Sequence, residues 1–203
     1  MIMDKEKLQL ISNFTSAPIF GSLIFLVFIF SKIGTLPITQ LALISIISLL
    51  FMTLIPVTYV VLFVKKKKKF HDIDYDISDR SLRLKPFLAV ISSYAIGTIA
   101  LFYINAPVLV KGLMFCYFLN GLIMFLITLF WKISIHTSGI TGPLTLLVYE
   151  FGIIYSPLLL IAVPVGWMRI KLKKHLPSQV IAGAVLTIIL TWLQIVYIIV
   201  PFF

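Results

Sequence analysis

The feature that most limits what this chain can become is a series of uncharged apolar stretches, each close to the length that crosses a lipid bilayer. About 20 residues, rising 1.5 Å each as helix, cover about 30 Å of hydrocarbon. Stretches of that order run over 16–31, 36–64, 87–104, 107–131 and 177–200. No water reaches the backbone inside a bilayer, so each stretch must satisfy its own amides as a helix. With 61% hydrophobic and 12% charged residues, water is the wrong solvent for most of this surface. The expected architecture is an all-α, polytopic transmembrane helix bundle of about six to seven helices, one domain over 1–203. The residues before the first stretch carry both charge signs and no small-residue cleavage site, and read as retained rather than as a cleaved signal.

The stretch 136–169 is too long for one ordinary span and carries Glu150, Gly152 and Pro157 near its middle. One long tilted helix and a hairpin of two short ones both fit its length. Charge decides between them, because Lys and Arg of short loops favour the cytoplasmic side. With a hairpin turning near Gly152, all of the 17 basic residues except Lys32 and Lys111 fall on one side. A single span would place the 169–174 cluster across the membrane from Lys132. The hairpin is therefore expected, with the N-terminus and the basic face cytoplasmic, the C-terminus outside, and the chain a multi-pass protein of the cell membrane.

A formal charge of +10 would raise nucleic acid as a partner for a soluble protein. Here the basic residues sit between apolar runs, so anionic lipid headgroups are the expected partner and nucleic acid is not. The polar loop 65–86 opens with five lysines against a span end, which read as a stop-transfer and headgroup anchor. The single cysteine, Cys116, lies inside an apolar run and excludes an internal disulfide or a cysteine-rich metal site.

Three polar clusters meet the basic face, over 76–86, 132–136 and 169–179. Two carry a histidine. Lys-Ile-Ser-Ile-His closes one span and opens a helix whose Gly139 and Gly142 permit close packing. Arg169 ends a helix, His175 follows, and Pro177 suits the first turn of the next, which puts His175 by a helix N-terminus that favours an anion. Arginines bind phosphate oxygens in a bidentate fork and an imidazole supplies a nucleophile or an acid, so these clusters read as a phosphate cradle. Glu150, near the outer turn, reads as interfacial or structural, and His71 beside the lysines as solvated.

The run R-x5-H-x3-Q from Arg169 to Gln179, followed by V-I-A-G, resembles the S-R-x5-H-x3-D signature of the type 2 phosphatidic acid phosphatase superfamily. Ser134 and His136 keep the spacing of that family's P-S-G-H element, and R-x-x-P at Arg83 to Pro86 is similar to a loosened K-x6-R-P element. The resemblance covers about 75–190. It implies a membrane lipid phosphatase that works without metal or other cofactor on a lipid phosphate or diphosphate, isoprenoid or glycerolipid. Position by position it implies His175 as the nucleophile that becomes a phosphohistidine, and His136 as the acid for the leaving alcohol. Arg169, Arg83 and Ser134 would hold the phosphoryl oxygens, with Lys132 and Arg80 supplying further charge. Gln179, which would orient His175, stands where the family has Asp, and Met168 where it has Ser.

Two other classes fit parts of the same sequence. One is a non-catalytic membrane protein that binds headgroups or a partner through the basic face. The other is a magnesium-dependent intramembrane prenyltransferase, since Asp72, Asp74, Asp76 and Asp79 are carboxylates of the kind magnesium takes. That fold needs a second aspartate-rich loop and more spans than this chain offers.

Overall fold

The structure, a computed structural model, describes residues 5–67 and 80–203, with side chains over 7–66 and 82–203. Among the described residues there are eight helices and no β-strand: α1 Lys5–Phe14, α2 Ala17–Phe30, α3 Ile38–Lys66, α4 Arg80–Tyr103, α5 Val108–Phe130, α6 Ile135–Phe151, α7 Ile153–Lys171 and α8 Pro177–Phe202. Five of these, α3, α4, α5, α7 and α8, are each long and apolar enough to cross a membrane, and α1 and α2 meet at a 47° bend. These helices mark a membrane protein.

Prolines set several of the helix starts. Pro18 lies in the first turn of α2, Pro107 precedes α5 and Pro177 opens α8, positions where a missing N–H removes no intrahelical bond. The reversal at the end of α6 is made by Gly152, whose φ of +102° suits a residue without Cβ. Beyond it α7 begins as a tight 3-10 stretch, Ile153–Ile161, and packs back along α6. The 136–169 stretch is thus a hairpin whose first limb, the 17 residues of α6, rises about 25 Å. Helix α4 begins at Arg80, well before the apolar run, so Arg83 and Pro86 belong to its first two turns.

Packing is tightest between α4 and α5 and between α6 and α8. A Cβ at Gly183 of α8 would stand 2.5 Å from the Ser134 carbonyl oxygen and 2.8 Å from the Thr137 hydroxyl, so only hydrogen fits there. Gly139 lets α6 against Ala17 of α2, whereas Gly142 faces Thr187 of α8, so the two glycines open α6 to different neighbours. Buried polar groups join the helices. The Ser138 and Thr187 hydroxyls lie 2.6 Å apart, Asn120 Nδ2 donates to Thr191 Oγ1 at 2.9 Å and Gln194 Nε2 to Asn120 Oδ1 at 2.7 Å. In a membrane such bonds are worth about 0.6 to 2 kcal/mol each.

Helix α3 is interrupted by a π turn, Leu50–Leu54, in which the Ile55 N–H reaches back to the Leu50 carbonyl. The neighbours hold this turn: Ser93 donates to the Phe51 carbonyl at 2.7 Å, Thr53 to that of Pro18 at 3.0 Å, and Ser22 pairs with Thr53. Past the turn, α3 packs chiefly on α4. A cavity of about 380 Å³ remains among the α1–α2 junction, this second half of α3, and α4, α5 and α6.

Candidate functional site

Most of the cavity wall is aliphatic or aromatic, from Val57 and Val60 of α3 through Phe87 of α4 to Met124 of α5. Arg83, His136 and His175 line the same cavity, brought by α4, by α6 and by the loop between α7 and α8. Of the residues expected to converge on one phosphoryl group, Arg83, His136 and His175 line this cavity, whereas Arg169 and Ser134 do not.

His175 is presented by a short, fully bonded loop. After α7, Lys173 takes a left-handed conformation, and the N–H groups of Lys174 and His175 both donate to the Arg169 carbonyl, at 3.0 and 3.3 Å. Gln179, in the first turn of α8, then folds back so that its Oε1 accepts the Leu176 N–H at 3.1 Å and lies 3.1 Å from His175 Nδ1. A backbone N–H can only donate, so the amide atom facing it is the oxygen, independent of how the amide is drawn. Facing an acceptor, Nδ1 of the neutral ring carries the hydrogen, which leaves the lone pair on Nε2.

Electrostatics keep that ring neutral. Burial first, then the charges of Arg83, Arg169 and Lys132, push the His175 pKa from its ordinary 6.5 down to about 3, against a small opposing pull from the Gln179 bond. At neutral pH the imidazole is an uncharged base.

The remaining predicted residues take different places. Arg169 is wholly buried at 0% exposure and does not line the cavity; its Nη1 donates to the Ser12 hydroxyl of α1 at 2.8 Å. Ser134 caps α6, its hydroxyl accepting from the Thr137 N–H at 3.5 Å, while its own N–H donates to the Gln179 carbonyl at 3.2 Å. It too is buried and off the cavity wall, so its position is that of a helix cap on α8. Lys132 is half-buried on the stretch between α5 and α6. Arg80 starts α4, but its side chain lies outside the described residues, as do His71, Asp72, Asp74, Asp76, Asp79 and the last lysines of the run. Glu150 is exposed fourteen residues along α6 from His136, about 20 Å away, and takes no part in the site.

Sequence reasoning passed over α1. Its Asn13, with Ser16 beyond it, borders the cavity, and Ser12 holds Arg169. The signal was the four-residue spacing of Leu8 and Ser12, both buried, within a short polar helix whose Leu10, Ile11 and Phe14 are exposed.

Comparison of the chain with protein-family models, curated proteins and solved structures finds no match. What the fold and the site define is a class: among the described residues, an all-helical, membrane-type bundle with a largely apolar cavity whose wall includes an arginine and two imidazoles.

Proposed function

We propose that the protein is a metal-independent membrane phosphatase that hydrolyses a lipid phosphate or diphosphate, of isoprenoid or glycerolipid type, through a phosphohistidine. The observation that carries this reading is the cavity itself, apolar over most of its wall and lined as well by Arg83, His136 and His175. Such a space suits a hydrocarbon chain with an anionic head, and its volume lies in the usual range for small-molecule sites.

In this mechanism the Nε2 lone pair of neutral His175 attacks phosphorus while the Nδ1 hydrogen stays bonded to Gln179 Oε1. The bond from phosphorus to the leaving oxygen breaks, and protonated His136 gives its proton to the departing group, the alcohol of a monophosphate or the lipid phosphate of a diphosphate. Neutral His136 then takes a proton from water, which attacks the phosphohistidine and frees inorganic phosphate. Arg83 stabilises charge on the phosphoryl oxygens from the cavity wall, and the buried cation of Arg169 adds its field at His175. Gln179 orients the ring without adding negative charge, so the positive ring formed during attack receives less support than a carboxylate would give. That same feature favours the second reading, a headgroup-binding protein without turnover.

The basic face is assigned to the cytoplasm by the bias of Lys and Arg, with the C-terminus outside. Labelling of a Lys173→Cys variant from the cytoplasmic side alone is expected, and labelling from outside alone overturns this orientation. The activity is tested by phosphate release from purified protein over polyprenyl phosphate, polyprenyl diphosphate and phosphatidate, with and without EDTA. His175→Ala and His136→Ala are expected to lose more than about 10³-fold in kcat while still inserting. Unchanged turnover in both rejects the mechanism; no release from any lipid favours the binding protein, and loss with EDTA favours the prenyltransferase.

A further inference from the structure

We infer that Ser12 is a positioning residue for the phosphoryl-binding end, fixing the Arg169 guanidinium through its hydroxyl, so that α1 is part of the site rather than a lead-in to the first span. This rests on the phosphatase reading above.

Ser12 is fully buried, and its oxygen accepts from Arg169 Nη1 at 2.8 Å across 157 residues of sequence. Several hydroxyls in the bundle do something different: Ser45, Thr98 and Thr128 each donate to the carbonyl four residues back in their own helix, which satisfies the hydroxyl and joins nothing. Ser12 instead offers its oxygen to a cation on α7. A guanidinium is planar with its donors in a rigid fork, so holding one Nη sets the direction of the whole group.

The placement of α1 agrees with this role. Leu8, one turn earlier on the same face, is buried in the main core and seats the helix against the bundle. One residue after Ser12, Asn13 borders the cavity and its Oδ1 accepts from Gln9 Nε2 at 2.9 Å. Arg169 in turn holds the His175 loop through its carbonyl, so its backbone fixes the nucleophile and its side chain is fixed by α1. A serine at this position therefore ties the end of α1 to the end of α7, from which the His175 loop springs.

The test compares Ser12→Ala, Ser12→Thr and Leu101→Ala in the full chain, measuring kcat and KM on the lipid phosphate that turns over, the affinity for inorganic phosphate, and thermal midpoint in detergent. Losing a hydrogen bond to a charged group corresponds to about ten- to a hundredfold. Ser12→Ala is expected to lose that much in kcat and to bind inorganic phosphate more weakly, with Ser12→Thr restoring most of both. Leu101→Ala, in the core and off the cavity wall, is expected to lower the midpoint while leaving turnover per folded molecule unchanged. Ser12→Ala with wild-type kcat and phosphate affinity overturns the inference, as does Ser12→Thr behaving like Ser12→Ala. If the wild type turns over no lipid phosphate, the phosphatase reading fails; inorganic phosphate binding then still decides the positioning role, weaker in Ser12→Ala if it holds and equal if it does not.

Discussion

The seam between α6 and α8 and the second half of α3 are both helical walls of the same cavity, and they are built on opposite principles. Along the seam, glycines let backbones touch and buried hydroxyls bond across, with Gly183 against the Ser134 carbonyl and the Ser138 hydroxyl 2.6 Å from that of Thr187. Along α3, beyond its π turn, valines and Pro56 face the cavity and the helix leans chiefly on α4. The difference teaches where precision is needed. Side chains that act on a phosphorus atom must be held closely, and both histidines depend on the seam: Ser134 caps the helix of His136, and Gln179 orients His175. A hydrocarbon chain asks only for space.

Substitutions that attack the two walls break or sharpen this contrast. The largest effect is expected from Gly183→Ala, since the new methyl meets a backbone carbonyl that cannot swing away; a loss of about 3 kcal/mol in a denaturation series is anticipated. A loss under half of that would mean the seam is not tight. Next is Gln179→Leu, which frees the His175 ring to choose its tautomer and should cost about 10- to 100-fold in kcat with little change in KM. Ser138→Ala comes third, removing one hydroxyl of the bonded pair with Thr187 across the seam for about 1 kcal/mol of stability. Smallest in stability is Val60→Phe on α3, anticipated to leave the denaturation midpoint nearly unchanged while slowing long-chain more than short-chain lipid phosphates. An equal effect on both chain lengths would remove α3 as the chain-bearing wall.

The neutral His175 adds a test by pH. Its folded pKa lies near 3, below its ordinary 6.5, so the unfolded chain takes up the proton first and this residue's contribution to stability is lost as pH falls from about 6.5 towards 3. In Gln179→Glu a carboxylate would face the ring and raise its pKa. The acidic limb of the kcat/KM profile should then move to higher pH than in the wild type.

Much of this arrangement could be read from the residues alone, because it rests on local physics. Apolar length gave the helices and Gly152 the reversal, and one residue from each of the three polar clusters, Arg83, His136 and His175, lines the same cavity. What was not legible depends on contact between distant segments. Ser134 reads as a phosphate ligand by spacing, yet its place is a cap pressed on α8, because the small Gly183 admits the Ser134 carbonyl there. Ser12 lies in a helix that sequence hydropathy passes over, and only the packing of α1 on α7 brings it to Arg169. The bend between α1 and α2 and the π turn in α3 likewise leave no mark in composition.

That π turn carries one more consequence. An extra residue within a helix rotates everything after it by about 100° relative to an uninterrupted coil. The insertion at Leu50–Leu54 therefore sets the phase of the rest of α3, and it is this phase that aims Val57 and Val60 inward and leaves Tyr59 and Leu62 turned away. Removing a single residue there would re-index the whole second half, presenting a different set of side chains to the cavity without altering one amino acid of the wall.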